Sequence, residues 1–348
     1  MKKVTSTDVA RLAGVSQTTV SLIMSGKPGV SISDETRKRV FDSAKKLGYE
    51  KKGNQISSVN LSSQLIGLMV SNLTNPYFTV VASCVESLAH ESGYNTIICN
   101  TERKPEKEKR YIEDLISQGV DGIVIAFTPS NTEYINKISE SIPIVIIGET
   151  DSYANLQTIG LNSIKAGEMV AAHLYELGHS KIAFLTSPVK NVSLSRQRRL
   201  DGIRDYLMSK GIIDTFYILE SENEIESDEI YEIEIGYDLT RKLLSKHSVT
   251  AVVAVSDLMA PGIYSTLNEA GLSVPNDVSV VGFDNIFIAK TLYPKLTTIE
   301  HHINERSKLA VEQLLKRMKS RSDLNVFSYS VEYRPSLIIR ESTAPAKR

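Results

Sequence analysis

From Leu65 onward the chain alternates short β-rich apolar runs with amphipathic helical stretches, and the alternation starts afresh after about residue 160. Parallel sheets covered by helices satisfy such a pattern. Strands are expected at 65–70, 96–99, 122–126 and 144–147, with helices at 77–92, 104–118 and 132–139. The second set has strands at 181–185, 216–219, 251–255 and 279–281, and helices at 196–210, 233–246 and 261–270. A helix at 163–177 joins the two sets. Two such units in tandem imply a bilobed α/β body with a cleft between parallel-sheet lobes. Ligands of these sheets bind beyond the carboxyl ends of the strands.

A chain of 348 residues has material for two or three domains. Its 41% hydrophobic and 23% charged residues are ordinary for a soluble globular protein. No apolar run reaches the roughly 18 residues that span a bilayer, and the N-terminus lacks a signal peptide's apolar stretch. The cytoplasm is therefore the expected location, with no membrane partner. Cys84 and Cys99 alone make neither a disulfide scaffold nor a cysteine zinc site.

The net charge of −1 conceals an asymmetry. Residues 1–63 hold eleven Lys/Arg against five Asp/Glu, or +6, and the remainder carries −7. A basic head on an acidic body points to a polyanion partner for the head alone.

Within that head, two short helical patterns flank an Ala13-Gly14-Val15-Ser16 turn. Thr5 with Asp8 reads as a capping box. Val9, Leu12 and Ala13 are expected to form the first helix's buried face, and Val20 and Ile23 that of the second. Ser16 is a natural N-cap for the second helix. This spacing suits a helix-turn-helix, whose second helix enters the major groove by its N-terminal end. It equally suits a plain helical hairpin.

The run Asp8-Val9-Ala10, Ala13-Gly14-Val15-Ser16 and Thr19-Val20-Ser21 resembles the DNA-binding headpiece of the LacI/GalR family of bacterial transcription regulators at every fixed position of D-V-A-x-x-A-G-V-S-x-x-T-V-S. A third helix beginning near Asp34 and ending at Leu47-Gly48-Tyr49 fits the same pattern. The resemblance continues through Asn75-Pro76-Tyr77-Phe78, Gly119-Val120-Asp121-Gly122-Ile123, Leu177-Gly178-His179, Arg199-Leu200-Asp201-Gly202, Val278 to Asp284, Leu296-Thr297-Thr298-Ile299 and Arg340 to Pro345. It implies an all-α headpiece at 1–50, a hinge at 51–64 and a bilobed effector-binding, dimerising body at 65–345. Lobe 1 is expected at 65–160 with a segment near 290–325, and lobe 2 at 161–290 with 326–345. The body also resembles periplasmic sugar-binding proteins.

Base reading is expected from Gln17, Thr18 and Leu22. Gln pairs with adenine, Thr with several bases, and Leu22 offers only an apolar surface. Thr5, Thr7, Ser16, Thr19, Ser21 and Ser25 are phosphate candidates, which position without specifying. The loop at 26–32 is about two residues longer than the family pattern. Residues 50–64 are polar and without periodicity, a linker composition. The family's hinge writes P-N-x-x-A-R-x-L, whereas this chain has Lys51 at the Pro, Gln55 at the Ala, Ile56 at the Arg and Ser58 at the Leu. Asn54, Gln55 and Ile56 are the hinge contacts, with Ile56 or Val59 as an apolar wedge; a flexible linker is the alternative.

A sugar-like ligand needs aromatic faces for its C–H surfaces and planar polar groups for its hydroxyls. In the first lobe Asn72, Asn75, Tyr77, Phe78 and Glu149 are the candidates. In the second, Arg199, Tyr231, Asp257 and Asp284 match family positions that face the cleft. Arg199 has the alternative of an ion pair with Asp201. The acidic run 220–234, Tyr231 apart, reads as a solvated loop and helix start.

No metal spacing, nucleophile elbow or Walker loop appears, so neither catalysis nor a cofactor is expected. The resemblance implies a cytoplasmic, homodimeric, ligand-responsive regulator, with operator DNA and a small effector, a sugar or sugar phosphate, as partners. Repression of carbohydrate-utilisation genes is the leading reading. A metabolite corepressor, a protein corepressor and a sugar-transport protein with a vestigial head are the rivals.

Overall fold

The computed structural model describes residues 5–25, 34–47, 63–149, 156–188, 193–222, 231–319 and 330–347. The loop at 26–32 and the hinge candidates Asn54, Gln55 and Ile56 lie outside these residues. The chain divides into a unit ending at Leu61 and a unit from Ser62 to Arg348.

The first unit holds three helices, α1 (Ser6–Ala13), α2 (Gln17–Ser25) and α3 (Asp34–Leu47). Thr5 caps α1 through a complete capping box. Its amide donates to Asp8 Oδ2 at 2.9 Å, and the Asp8 amide donates to Thr5 Oγ1 at 3.3 Å. Gly14 ends the helix in the left-handed region, at φ 65°, a conformation that a Cβ disfavours. Val9, Ala10, Ala13, Val20, Ile23, Val40 and Ala44 form the small core. Leu12, expected on the buried face, is 48% exposed. The buried stripe runs through Val9, Ala10 and Ala13, and Leu12 lies about 100° around the helix from Ala13.

The second unit contains two six-stranded sheets. The first takes strands β1 (Leu65–Val70), β2 (Asn95–Asn100), β3 (Gly122–Ile125), β4 (Ile144–Ile147), β5 (Gln157–Leu161) and β11 (Ser330–Tyr333) in the order β11-β5-β4-β3-β1-β2, all parallel. The second takes β6 (Ile182–Thr186), β7 (Phe216–Glu220), β8 (Ala251–Ala254), β9 (Ser279–Asp284), β10 (Thr297–Glu300) and β12 (Ser336–Ile338) in the order β12-β10-β9-β8-β6-β7. Only β12 is antiparallel there.

Helices α4 (Pro76–Glu91), α5 (Pro105–Ser117), α6 (Thr132–Ser139) and α12 (Ile303–Lys319) belong to the first lobe. Its core follows the strand period of two. Ile66, Leu68, Val70, Val124, Val145 and Ile147 face α4 and α12, whereas Met69, Ile123, Ile125, Ile144 and Ile146 face α5 and α6. The second core gathers α7 (Ser163–Glu176), α8 (Leu194–Ser209), α9 (Tyr231–Leu244) and α10 (Ala260–Glu269) around Phe184, Val252, Val253, Val280 and Phe283. Short α11 (Phe287–Thr291) follows β9.

The lobe assignment needs two corrections. Strand 297–300 pairs with β9 in the second sheet, although 290–325 was expected in the first lobe. Strand 330–333 pairs with β5 in the first sheet, although 326–345 was expected in the second. A strand's sheet is decided by the partner available to it, which local periodicity does not encode. The chain thus crosses between lobes after β5, after β10 and after β11.

Candidate functional site

In the headpiece, α2 presents Gln17, Thr18 and Ser21 to solvent, while Val20 and Ile23 are buried. Thr5 and Thr7 are also exposed, and Leu22 is half-buried. Ser16 caps α2, accepting from the Thr19 amide at 3.0 Å, and its hydroxyl lies 2.8 Å from that of Thr19. Gln17 Nε2 donates to Ser6 Oγ at 3.0 Å, tying the first turn of α2 to α1. Ser25 closes α2. The exposed N-terminal turn of α2 is the geometry that a major groove accepts.

In the body, a cleft of about 720 Å³ opens where strands of both sheets end. Ser71 follows β1, Arg103 follows β2, Ala126 follows β3 and Glu149 follows β4. From the second sheet come Ser256 after β8, Asp284 at the end of β9 and His301 after β10. Asn75 N-caps α4, accepting from the Tyr77 amide at 2.9 Å. This cap, with Pro76 at the first turn, sets Tyr77 and Phe78 edge to face, ring centres 5.0 Å apart. The Tyr77 ring also meets His301 edge-on at 5.8 Å.

Arg199 is the centre of the second-lobe wall. It donates to the Val255 carbonyl at 2.5 Å and to Asp284 Oδ1 at 3.3 Å, and lies 4.8 Å over the Phe283 ring. The alternative ion pair is absent, because Asp201 accepts instead from Gln197 and Arg204. Glycines seat the helix that carries Arg199. A Cβ on Gly167 of α7 would fall 2.2 Å from the Arg199 carbonyl, and one on Gly202 2.0 Å from the Ile164 carbonyl. His301 bridges the pair, its Nδ1 3.3 Å from Asp284 Oδ1 and its Nε2 3.4 Å from Arg199. Burial, then the charges of Arg199, Arg306 and His302, hold its pKa well below the usual histidine range. A neutral ring donating from Nδ1 and accepting at Nε2 fits both neighbours. Burial raises Asp284 to about 6 against the pull of Arg199.

The first-lobe wall carries Glu149, which accepts from Ser163 at 2.6 Å and from Arg198 at 3.0 Å. Glu108 accepts from the Ser130 amide and hydroxyl, and burial raises its pKa.

The cleft therefore brings together Asn75, Tyr77, Phe78, Glu149, Arg199 and Asp284 of the expected residues. Three others are corrected. Asn72 closes its own turn, accepting from the Thr74 amide and hydroxyl at 2.9 and 2.8 Å, and Ser71 lines the wall in its place. Tyr231 begins α9 with its ring in the second-lobe core. Asp257 is fully buried behind the wall, accepting from Thr298 Oγ1 at 2.6 Å and the Ile286 amide at 3.0 Å. Burial and the nearby Asp284 carboxylate raise its pKa well above the usual range. Asp257 braces the turn after β9, where Asp284 and Asn285 have φ of 112° and 51°.

The acidic run also needs correction, because Glu232 is buried and paired with Arg196 and Ser256. Burial raises its carboxyl, but Arg196 and Ser256 bring the net pKa below the usual range. Sequence reasoning missed Arg103, Arg196, Arg306 and His301. Arg103 and His301 had a legible signal, since each stands within three residues of a strand end. No cluster of His, Cys, Asp or Glu among the described residues could hold a metal ion. No helix among them is long and apolar enough to cross a membrane.

Comparison with known proteins covers both units. Residues 5–51 match the bacterial regulatory proteins of the lacI family, and residues 171–343 match a periplasmic binding protein-like domain. The HTH-type transcriptional repressor PurR of Histophilus somni (strain 129Pt) is 30% identical over 339 residues, 96% of this chain and 97% of the relative. A LacI family transcriptional regulator from Enterococcus faecium, solved with bound ribose, is 28% identical and matches with a TM-score of 0.71, over 81% of this chain and all of its own. The lac repressor dimer bound to operator and the anti-inducer ONPF gives 0.71 at 25% identity, over 99% of this chain and all of its own. With matches over both units and a relative 30% identical along nearly the whole length, this chain belongs to the lacI family of bacterial regulatory proteins, DNA-binding regulators of transcription.

Proposed function

We propose that this regulator represses its target genes, in carbohydrate use, and that a small sugar-like effector in the interlobe cleft controls its hold on operator DNA. The observation that carries the reading is the convergence of Tyr77 and Phe78 with Asn75, Arg199 and Asp284 at the ends of strands from two sheets. Rings take the C–H faces of a sugar, and planar polar groups take its hydroxyls in pairs. Because one wall comes from each lobe, a ligand held by both favours one lobe arrangement over another. Its differential affinity for the two is what shifts the population.

In this reading the protein works in the cytoplasm as a homodimer, placing two headpieces on half-sites about one helical turn apart. Gln17, Thr18 and Leu22 read bases, and Thr5, Thr7, Ser16, Thr19, Ser21 and Ser25 meet phosphates. The test is fluorescence anisotropy on an operator selected from random DNA, titrated with sugars and nucleobases. A sugar that releases DNA and raises the melting temperature supports the proposal. Tight sugar binding by a protein that retains no selected DNA overturns it, and a nucleobase that strengthens DNA binding replaces the inducer by a corepressor.

A further inference from the structure

Four arginines line the cleft; among the described residues two are paired with carboxylates, a third has neutral acceptors, and the fourth has neither. Arg196 is held by Glu232 and Ser187. Arg199 has Asp284, the Val255 carbonyl and His301. Arg306 donates to the Ile159 carbonyl at 3.1 Å and to Tyr77 Oη at 3.4 Å. Arg103 makes no hydrogen bond or ion pair among the described residues. Its guanidinium lies 6.0 Å from the centre of the Phe78 ring. Its Nε is buried without a partner, as are those of Arg199 and Arg306, but its residue as a whole is only half-buried, where theirs are buried, and it lines the cleft.

The wall carboxylates are already engaged: Glu108 by Ser130, Glu149 by Ser163 and Arg198, Asp284 by Arg199. The adjacent Glu102 turns to Lys104 and Lys107, at 3.0 and 2.6 Å. Glu102 and Arg103 both adopt left-handed backbone, at φ 52° and 58°. Two consecutive non-glycine residues stay there only where the surroundings impose it, and such strain gathers at ligand sites. Burial, with the cations Arg196 and Arg199 nearby, lowers Arg103 to about 9. A cation in this position is stabilised by an anion arriving with the ligand.

We infer that the effector is an anionic sugar, carrying a phosphate or a carboxylate, and that Arg103 receives its charge. The inference rests on the reading of the cleft as the effector site. A guanidinium matches either group with two parallel N–H···O bonds. The N-terminus of α8, capped by Ser193 and lining the opposite wall, adds its positive end to the same field.

The test uses the full chain with Arg103→Asn and Arg103→Lys, at constant ionic strength. Asparagine tolerates the left-handed φ, and circular dichroism checks that each variant folds. Calorimetric titrations compare glucose with glucose 6-phosphate and glucuronate, ribose with ribose 5-phosphate, and inorganic phosphate alone. The expected result is a charged sugar binding at least tenfold tighter than its neutral counterpart. That preference is lost in Arg103→Asn, partly kept in Arg103→Lys, and fades in the unaltered protein above about pH 9. Preference confined to the phosphate esters or to the uronate tells which anion is taken. Equal or tighter binding of every neutral counterpart overturns the inference, as does a charged-sugar preference that survives Arg103→Asn. An equal loss for charged and neutral sugars in that variant assigns Arg103 a purely structural role and also overturns it. If neutral sugars alone bind, the effector-site reading stands and the anionic inference falls; if neither sugars nor phosphate bind, both fall.

Discussion

The headpiece and the interlobe cleft both offer polar groups to a ligand, but they hold those groups differently. In the headpiece, Gln17, Thr18 and Ser21 stand outside a small apolar core of Val9, Ala13, Val20 and Ile23, which would pack much the same without them. In the cleft, Arg199, Asp284 and His301 are themselves buried and hold one another. Function and stability should therefore separate in the first site and fuse in the second.

The sharpest way to break this comparison is Arg199→Ala. Removing the guanidinium leaves Asp284 buried beside a neutral histidine, and loss of one partner from such a pair costs about 3–5 kcal/mol. Urea unfolding of the body should show that loss together with loss of effector binding. A change under about 1 kcal/mol would mean that the cleft network is no more structural than the headpiece surface. Next in size is Gln17→Ala, expected to cost operator binding about 1–3 kcal/mol if the side chain pairs with a base. The body's melting temperature should not move. Because Gln17 also donates to Ser6, an operator-affinity loss that is equal for every base sequence would mark it as a brace between helices and not a reader.

Thr5→Ala sharpens the contrast from the other side. It removes the acceptor of the Asp8 amide and should cost the headpiece about 1 kcal/mol. Thermal melting of the isolated body transition should be unaffected. If both transitions move together, the two sites do not separate as described.

The same difference explains what was legible in the sequence. The capping box, the Gly14 stop and the apolar spacing of the headpiece are local, within one helical turn of each other, and only Leu12 was misplaced. The strand–helix alternation of the body is local too. Membership of β10 and β11 was not, because a strand's sheet depends on the partner it finds, which for β11 is more than a hundred residues away. In the cleft, Asn75 and Tyr77 were legible from a cap and its helix. Asp257 and Tyr231 were misjudged because a strand end or helix start fixes a residue's position, not whether it faces the wall or the core behind it. Arg103 and Arg196 were missed for a related reason. An arginine reads as surface until its partners, Glu232 for Arg196 and none among the described residues for Arg103, are seen across the fold.

The smallest effect is pH dependence, and it is the most diagnostic because two readouts move oppositely. Asp284, raised to about 6, would accept from the proposed effector in its ionised form. Between pH 7 and pH 6 the ionised fraction falls from about nine-tenths to one half, so effector affinity should drop roughly twofold, and tenfold per unit further below. Stability should respond with the other sign. A carboxyl raised on folding binds more protons in the native state, so acidification from about pH 6 towards its unfolded value near 4 favours the fold at this group. Asp284→Asn removes both slopes from calorimetric titration and urea unfolding. If the effector's pH slope persists in that variant, another group carries it, and the buried network is not what couples binding to the fold.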